Sequence, residues 1–163
     1  MKARVICVFS GLGKTTVGSK YNNVCDLQSS KYRCDYSNIK KEDYERMKCE
    51  VSRKVNPDWP DNYKKALLNA IKKYDIVLVP SNEDIRKILT ENEIEFLFVL
   101  PSYDSRDSLL QRYRERGNSE ELINQVMNYF DNWSRNPEDY DYPITILDKD
   151  KYLEDLLLEL KLL

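Results

Sequence analysis

Residues 11–16 read GLGKTT and follow closely on the apolar run RVICVF at residues 4–9. A phosphate chain is held by successive backbone N–H groups at a helix N-terminus, and glycines let the backbone wrap around it without side-chain collisions. Gly11 and Gly13 meet that need, so Gly11, Leu12, Gly13, Lys14, Thr15 and Thr16 are the expected cradle. Lys14 is placed to reach the β- and γ-phosphates of a nucleoside triphosphate, and Thr15 to offer its hydroxyl to Mg²⁺. The chemistry implied is binding of ATP with Mg²⁺ and transfer of the terminal phosphoryl group. The full pattern GxxxxGK[ST] asks for glycine at position 8, where the chain has Val8. What remains is a GxGKT core directly after a strand; the competing reading is a glycine turn beside a chance Lys-Thr pair.

Phosphoryl transfer also needs cations over the moving group. Arg106, Arg112, Arg114 and Arg116 crowd one helical stretch. Arg112 and Arg116, four residues apart, share a face, while Arg106 and Arg114 point elsewhere, so at most two or three can converge on phosphate. A solvated helix balanced by Asp104, Asp107 and Glu115 is the alternative. Asp26, expected at the carboxyl end of a second strand, would face the crevice in which open parallel sheets bind ligands. It is a candidate to accept a proton from a hydroxyl, or else a turn cap aided by Ser29 and Ser30. The strand DIVLV ends in Pro80-Ser81 with no acid at its tip, so the metal would rest on Thr15, water and phosphate, with Asp26 behind them. Trp59, Tyr63 and the tyrosines of residues 32–44 either stack on a base or pack in the core.

These residues need a frame that alternates strands with helices. Strands are expected at residues 4–9, 23–27, 75–79, 95–100 and 143–147. Helices are expected at 15–21, around 41–53, and at 61–73, where Asp and Pro open a capped start. Further helices fall at 82–91, at 105–116 up to Gly117, at 119–135, and at 148–163. Asp75 begins its strand at the end away from the crevice and is expected to be structural. The fold class is α/β: a P-loop NTPase-type three-layer sandwich with a parallel sheet of about five strands and helices on both faces. One domain over residues 1–163 is expected, with 28–58 as a polar acceptor-side insertion and 102–120 as a lid-like segment.

Composition narrows the rest. The chain has 163 residues, 41% hydrophobic and 33% charged, with 26 basic against 28 acidic side chains, the profile of a soluble globular protein without general attraction to nucleic acid. DNA as substrate would need a local basic face, around Lys31, Arg33, Lys40 and Lys41 or the lid arginines. No apolar run is long enough to cross a bilayer and the first residues are too strand-like for a signal peptide, so no membrane partner and a cytoplasmic location are expected. Cys7, Cys25, Cys34 and Cys49 have no CxxC spacing and there is no histidine, which argues against zinc and restricts any general base to Asp, Glu, Lys, Tyr or Cys.

Taken together, VFSGLGKTT, VCDLQSSKY, NPDWPDNY and VLPSYDSRDSLLQRYRERGNSEELI resemble the small P-loop kinases of bacteriophages, the deoxynucleoside monophosphate kinase-like proteins and 5-hydroxymethyluracil DNA kinases. The resemblance spans residues 4–133, and the family pattern has glycine where this chain has Val8. It implies that Lys14 and Thr15 occupy the phosphate and Mg²⁺ positions. It also implies that Asp26, Ser29 and Ser30 form the acidic and serine motif, and that Arg112 and Arg116 belong to the lid. The expected function is an ATP-dependent kinase of a nucleotide or nucleic-acid acceptor, in the host cytoplasm if phage-encoded. The alternatives are a kinase of a hydroxymethylated base or 5′-hydroxyl in DNA, and a nucleotide-binding regulatory module without turnover. The acceptor and the oligomeric state are left open.

Overall fold

A computed structural model of the chain describes residues 4–37, 39–43, 54–135 and 140–163, without the side chains of 133–135. The expected helix at 41–53 lies largely outside the described residues; within them only a 3-10 turn at Lys41–Asp43 is seen.

The apolar runs form five parallel strands: β1 (Arg4–Val8), β2 (Val24–Asp26), β3 (Ile76–Pro80), β4 (Phe96–Pro101) and β5 (Ile144–Leu147). They lie in the order β2-β3-β1-β4-β5, so the strand that leads into GLGKTT is central, paired with β3 on one side and β4 on the other. Central parallel strands are covered on both faces and therefore read as continuous hydrophobic runs rather than alternating ones. Residues Val5–Val8 and Ile76–Val79 are accordingly buried.

The helices are α1 (Lys14–Lys20), α2 (Ser30–Arg33), α3 (Asp61–Lys73), α4 (Glu83–Glu91), α5 (Arg106–Glu115), α6 (Glu120–Arg135) and α7 (Leu153–Glu159). Right-handed crossovers in this strand order put α1 and α7 on one face of the sheet and α3, α4 and α6 on the other. The core follows: Val17, Leu153 and Leu157 are buried from the first group, and Leu67, Ile85, Leu89, Ile123 and Phe130 from the second. This is the α/β P-loop NTPase-type sandwich expected from the sequence.

Two local expectations are corrected. No side chain caps α3; its start is a turn in which Asn56 Oδ1 accepts from the Asp58 N–H, and Asp61 is the first helical residue, where the helix dipole favours an acid. The final helix begins at Leu153 rather than 148, because residues before it are drawn onto the glycine loop, where the Leu153 N–H donates to the Leu12 carbonyl at 2.9 Å. Helix α2 is not among the expected helices, and α7 ends at Glu159 rather than 163; the other elements agree closely. Gly117 takes φ 73 just beyond α5, and the Ser119 hydroxyl accepts the Leu122 N–H at the start of α6. Asp75, at the amino end of β3, takes the Asn23 amide and offers its carbonyl to the Arg4 N–H, a structural role.

Candidate active site

The chain leaves β1 late. Phe9 still donates to the Val99 carbonyl, and Val8, which replaces the expected glycine, is wholly buried in the sheet core. The turn itself falls at Gly11 (φ 84) and Gly13 (φ 101), left-handed conformations that glycine adopts without strain. Helix α1 then starts at Lys14, with the Val17 N–H on the Gly13 carbonyl, so the loop sits against a helix N-terminus at the carboxyl end of the sheet.

Lys14 is half-buried, and Thr15 and Thr16 on the first turn are exposed. The Thr15 hydroxyl donates to Asp26 Oδ2 at 3.1 Å, and the Gln28 amide reaches the same oxygen at 3.2 Å. Asp26 Oδ1 is buried and has no hydrogen-bond partner among the described residues. A buried carboxylate oxygen left unpaired is costly, so this one calls for a donor or a cation. Burial holds the Lys14 ammonium below its ordinary pKa, with Asp26 and Cys7 pulling upward and Arg116 pushing further down. Lys14, Thr15, Asp26 and Arg116 thus belong to one electrostatic neighbourhood. Among the described residues no group of three or more His, Cys, Asp or Glu could hold a metal.

The arginines divide as their helical spacing demands. Arg112 donates to the Gly11 carbonyl at 3.3 Å and lies 4.4 Å over the Tyr152 ring. Arg116 is exposed at the end of α5, on the same face. Arg106 is committed elsewhere, donating through two nitrogens to Asp131 at 2.9 and 3.0 Å, and Arg114 pairs with Glu120. Of the four, two remain beside the glycine loop.

The aromatic residues also separate. Tyr63 is fully buried and donates to the Leu27 carbonyl at 2.9 Å, so it is a core residue and offers no face to a base. Trp59 is half-buried at the start of α3, its ring 5.6 Å from Tyr63, its N–H 3.4 Å from Asp84 on α4, and the Arg33 guanidinium 6.0 Å above it. Tyr44 lies outside the described residues.

Several residues around the site escape sequence reading. Gly18 lets α1 lie against β2: an added Cβ would be 2.7 Å from Asp26 Cβ. Tyr113 donates to the Ser10 carbonyl at 2.7 Å and packs on Gly11, where a Cβ would come within 2.9 Å of its ring. Glu154 on α7 accepts from Lys20 at the end of α1 at 2.5 Å and from Tyr21 just beyond it at 2.6 Å, and Tyr152 borders Gly13. The signal available beforehand was one glycine inside a helix and a tyrosine next to an arginine; their partners are far away in sequence.

Two solved structures are similar in fold over most of their length. A gluconokinase from Sinorhizobium meliloti is 15% identical with a TM-score of 0.52, covering 97% of this chain and 88% of that one. A shikimate kinase from Bacteroides thetaiotaomicron is 14% identical with a TM-score of 0.51, covering 99% of each. No protein-family model and no curated protein sequence matches the chain. At these identities the likeness establishes the fold: this chain has the α/β architecture on which those P-loop kinases are built.

Proposed function

We propose that the protein is an ATP-dependent P-loop kinase that phosphorylates a nucleotide or nucleic-acid acceptor. The observation that carries the reading is the Thr15–Asp26 contact beside Lys14, with one Asp26 oxygen buried and unpaired at the ligand end of the sheet. Triphosphate oxygens would take the loop N–H groups and supply the negative charge that the desolvated Lys14 lacks. Arg112 and Arg116 lie on the other side of the glycine loop, where developing charge on the transferred group needs cations.

The residues fit a magnesium ion held mainly by the nucleotide: the Thr15 hydroxyl would be its one protein ligand and Asp26 would hold that hydroxyl and neighbouring water. When bound, Mg²⁺ neutralises charge on the β- and γ-phosphates. Asp26, at the carboxyl end of β2, is also the carboxylate that would take the proton of an acceptor hydroxyl, a role that a phosphate acceptor would not require. Trp59, half-buried with Arg33 above it, favours an acceptor that carries a planar base. Among the described residues no helix is long and apolar enough to cross a membrane.

The acceptor is tested by incubating the protein with γ-labelled ATP and Mg²⁺ against deoxynucleoside monophosphates, nucleosides, 5′-hydroxyl DNA, hydroxymethylated DNA, gluconate and shikimate. Label on a nucleotide or DNA is expected. Label only on gluconate or shikimate would refute the acceptor class, and nucleotide binding without any labelled acceptor would refute the kinase reading.

A further inference from the structure

Three consecutive carbonyls of the glycine loop are each held by a group from outside it. Ser10 O accepts the Tyr113 hydroxyl at 2.7 Å, Gly11 O accepts Arg112 Nη1 at 3.3 Å, and Leu12 O accepts the Leu153 N–H at 2.9 Å. In a planar trans peptide the carbonyl and the next residue's N–H point in opposite directions. Holding these carbonyls against α5 and α7 therefore turns the N–H groups of Gly11, Leu12 and Gly13 the other way. Those are the donors a phosphate chain uses.

The three supports differ in permanence. Arg112 is half-buried, makes the longest bond and shares its guanidinium with the Tyr152 ring, so it is free to exchange its carbonyl for phosphate. The Leu153 N–H is backbone, and no substitution other than proline removes it. Tyr113 is 2% exposed, and its ring closes on Gly11 so tightly that a Cβ there would lie 2.9 Å from Cε1 and 3.1 Å from the hydroxyl. Burial pushes the phenol pKa up to about 12, so the hydroxyl stays protonated as a donor across the working pH range.

We infer that Tyr113 is the positioning residue of the phosphate loop, acting through the Ser10 carbonyl to aim the loop amides at the phosphate chain. The inference rests on the kinase reading above for its ligand but concerns a residue that touches neither ATP nor acceptor. It also makes α5 a fixed brace at its carboxyl-terminal turns rather than a freely swinging lid.

The test is Tyr113→Phe in the full chain, with calorimetric affinities for ATP, inorganic tripolyphosphate and adenosine. The net contribution of one such hydrogen bond to aiming the loop sets the loss of phosphate affinity at about two- to twelvefold. The expected result is that drop for ATP and tripolyphosphate with adenosine unchanged. To separate aim from folding, Tyr113 is also replaced by 4-aminophenylalanine, which keeps a donor, and by 4-fluorophenylalanine, which fills the same space without one. Wild-type affinity in the first and the drop in the second are expected. Equal affinities in both, or an equal loss for adenosine, would overturn the role of Tyr113. Failure of the wild-type chain to bind ATP or tripolyphosphate would instead overturn the kinase reading.

Discussion

Replacing Gly18 by alanine is expected to disable the site while leaving the fold in place. An alanine Cβ would stand 2.7 Å from Asp26 Cβ and 3.3 Å from the Asp26 backbone nitrogen. Carbon atoms rest at about 3.5–4.0 Å, so α1 and β2 must part by about 1 Å. Thr15 lies one turn before Gly18 on the same face of α1, and its 3.1 Å bond to Asp26 would stretch to roughly 4 Å, beyond hydrogen-bond range. Alanine for glycine inside a helix ordinarily stabilises by about 1 kcal/mol, whereas overpacking costs about 1–3 kcal/mol. The balance runs from near zero to about 2 kcal/mol of destabilisation, a fall in Tm of at most roughly 8 °C for a domain of this size. A misplacement of about 1 Å can cost on the order of a hundredfold in rate. Thermal melting and phosphoryl-transfer rate are measured side by side, with a loss of about ten- to a hundredfold in rate and a minor shift in Tm expected. A raised Tm with rate within twofold of wild type would show that α1 and β2 yield freely and that the Thr15–Asp26 geometry does not matter.

Two further changes probe the residues around that contact. Asp26→Asn keeps the shape and removes the proton acceptor; transfer to a hydroxyl acceptor should fall by about a hundredfold or more, and transfer to a monophosphate should change little. An unchanged rate on a hydroxyl acceptor would remove the base role from Asp26. Glu154→Gln loosens the tie between α1 and α7, and its effect depends on pH. The hydrogen bond from Lys20, and then that from Tyr21, holds the Glu154 carboxyl below the ordinary value of 4.5. A depressed carboxylate pKa stabilises the fold above the unfolded value and loses that contribution as pH falls through the folded one. The Tm difference between wild type and variant should therefore be full above pH 4.5 and close on acidification below it, as followed by melting curves across that range. A difference that widened below pH 4.5 would contradict the assignment.

Much of this was legible because it is local. Continuous apolar runs mark the buried parallel strands, and their ends fell within a residue or so of β1, β3, β4 and β5. Helical spacing alone separated Arg112 and Arg116 from Arg106, which pairs with Asp131. What could not be read is carried by contacts between distant parts of the chain. Position 8 lies within the expected strand 4–9, but that the loop turns only later, so that valine fits where the pattern asks for glycine, rests on the pairing of Phe9 with Val99. For Tyr63 the sequence left stacking on a base and packing in the core both open; its hydroxyl finds the Leu27 carbonyl, far away in sequence, and the ring is buried. The terminal helix was extended to 148 because nothing in that segment announces that the Leu153 N–H belongs to Leu12.

The central claim is that the Gly11–Thr16 loop binds the triphosphate whose terminal group is transferred. The direct measurement is titration of Mg-ATP into wild type and Lys14→Ala, with label transfer followed in the same samples. Saturable binding and labelled acceptor for wild type are expected, with affinity lowered and transfer abolished for Lys14→Ala. Equal transfer by the two proteins would contradict the claim, as would wild-type chain that binds no nucleotide.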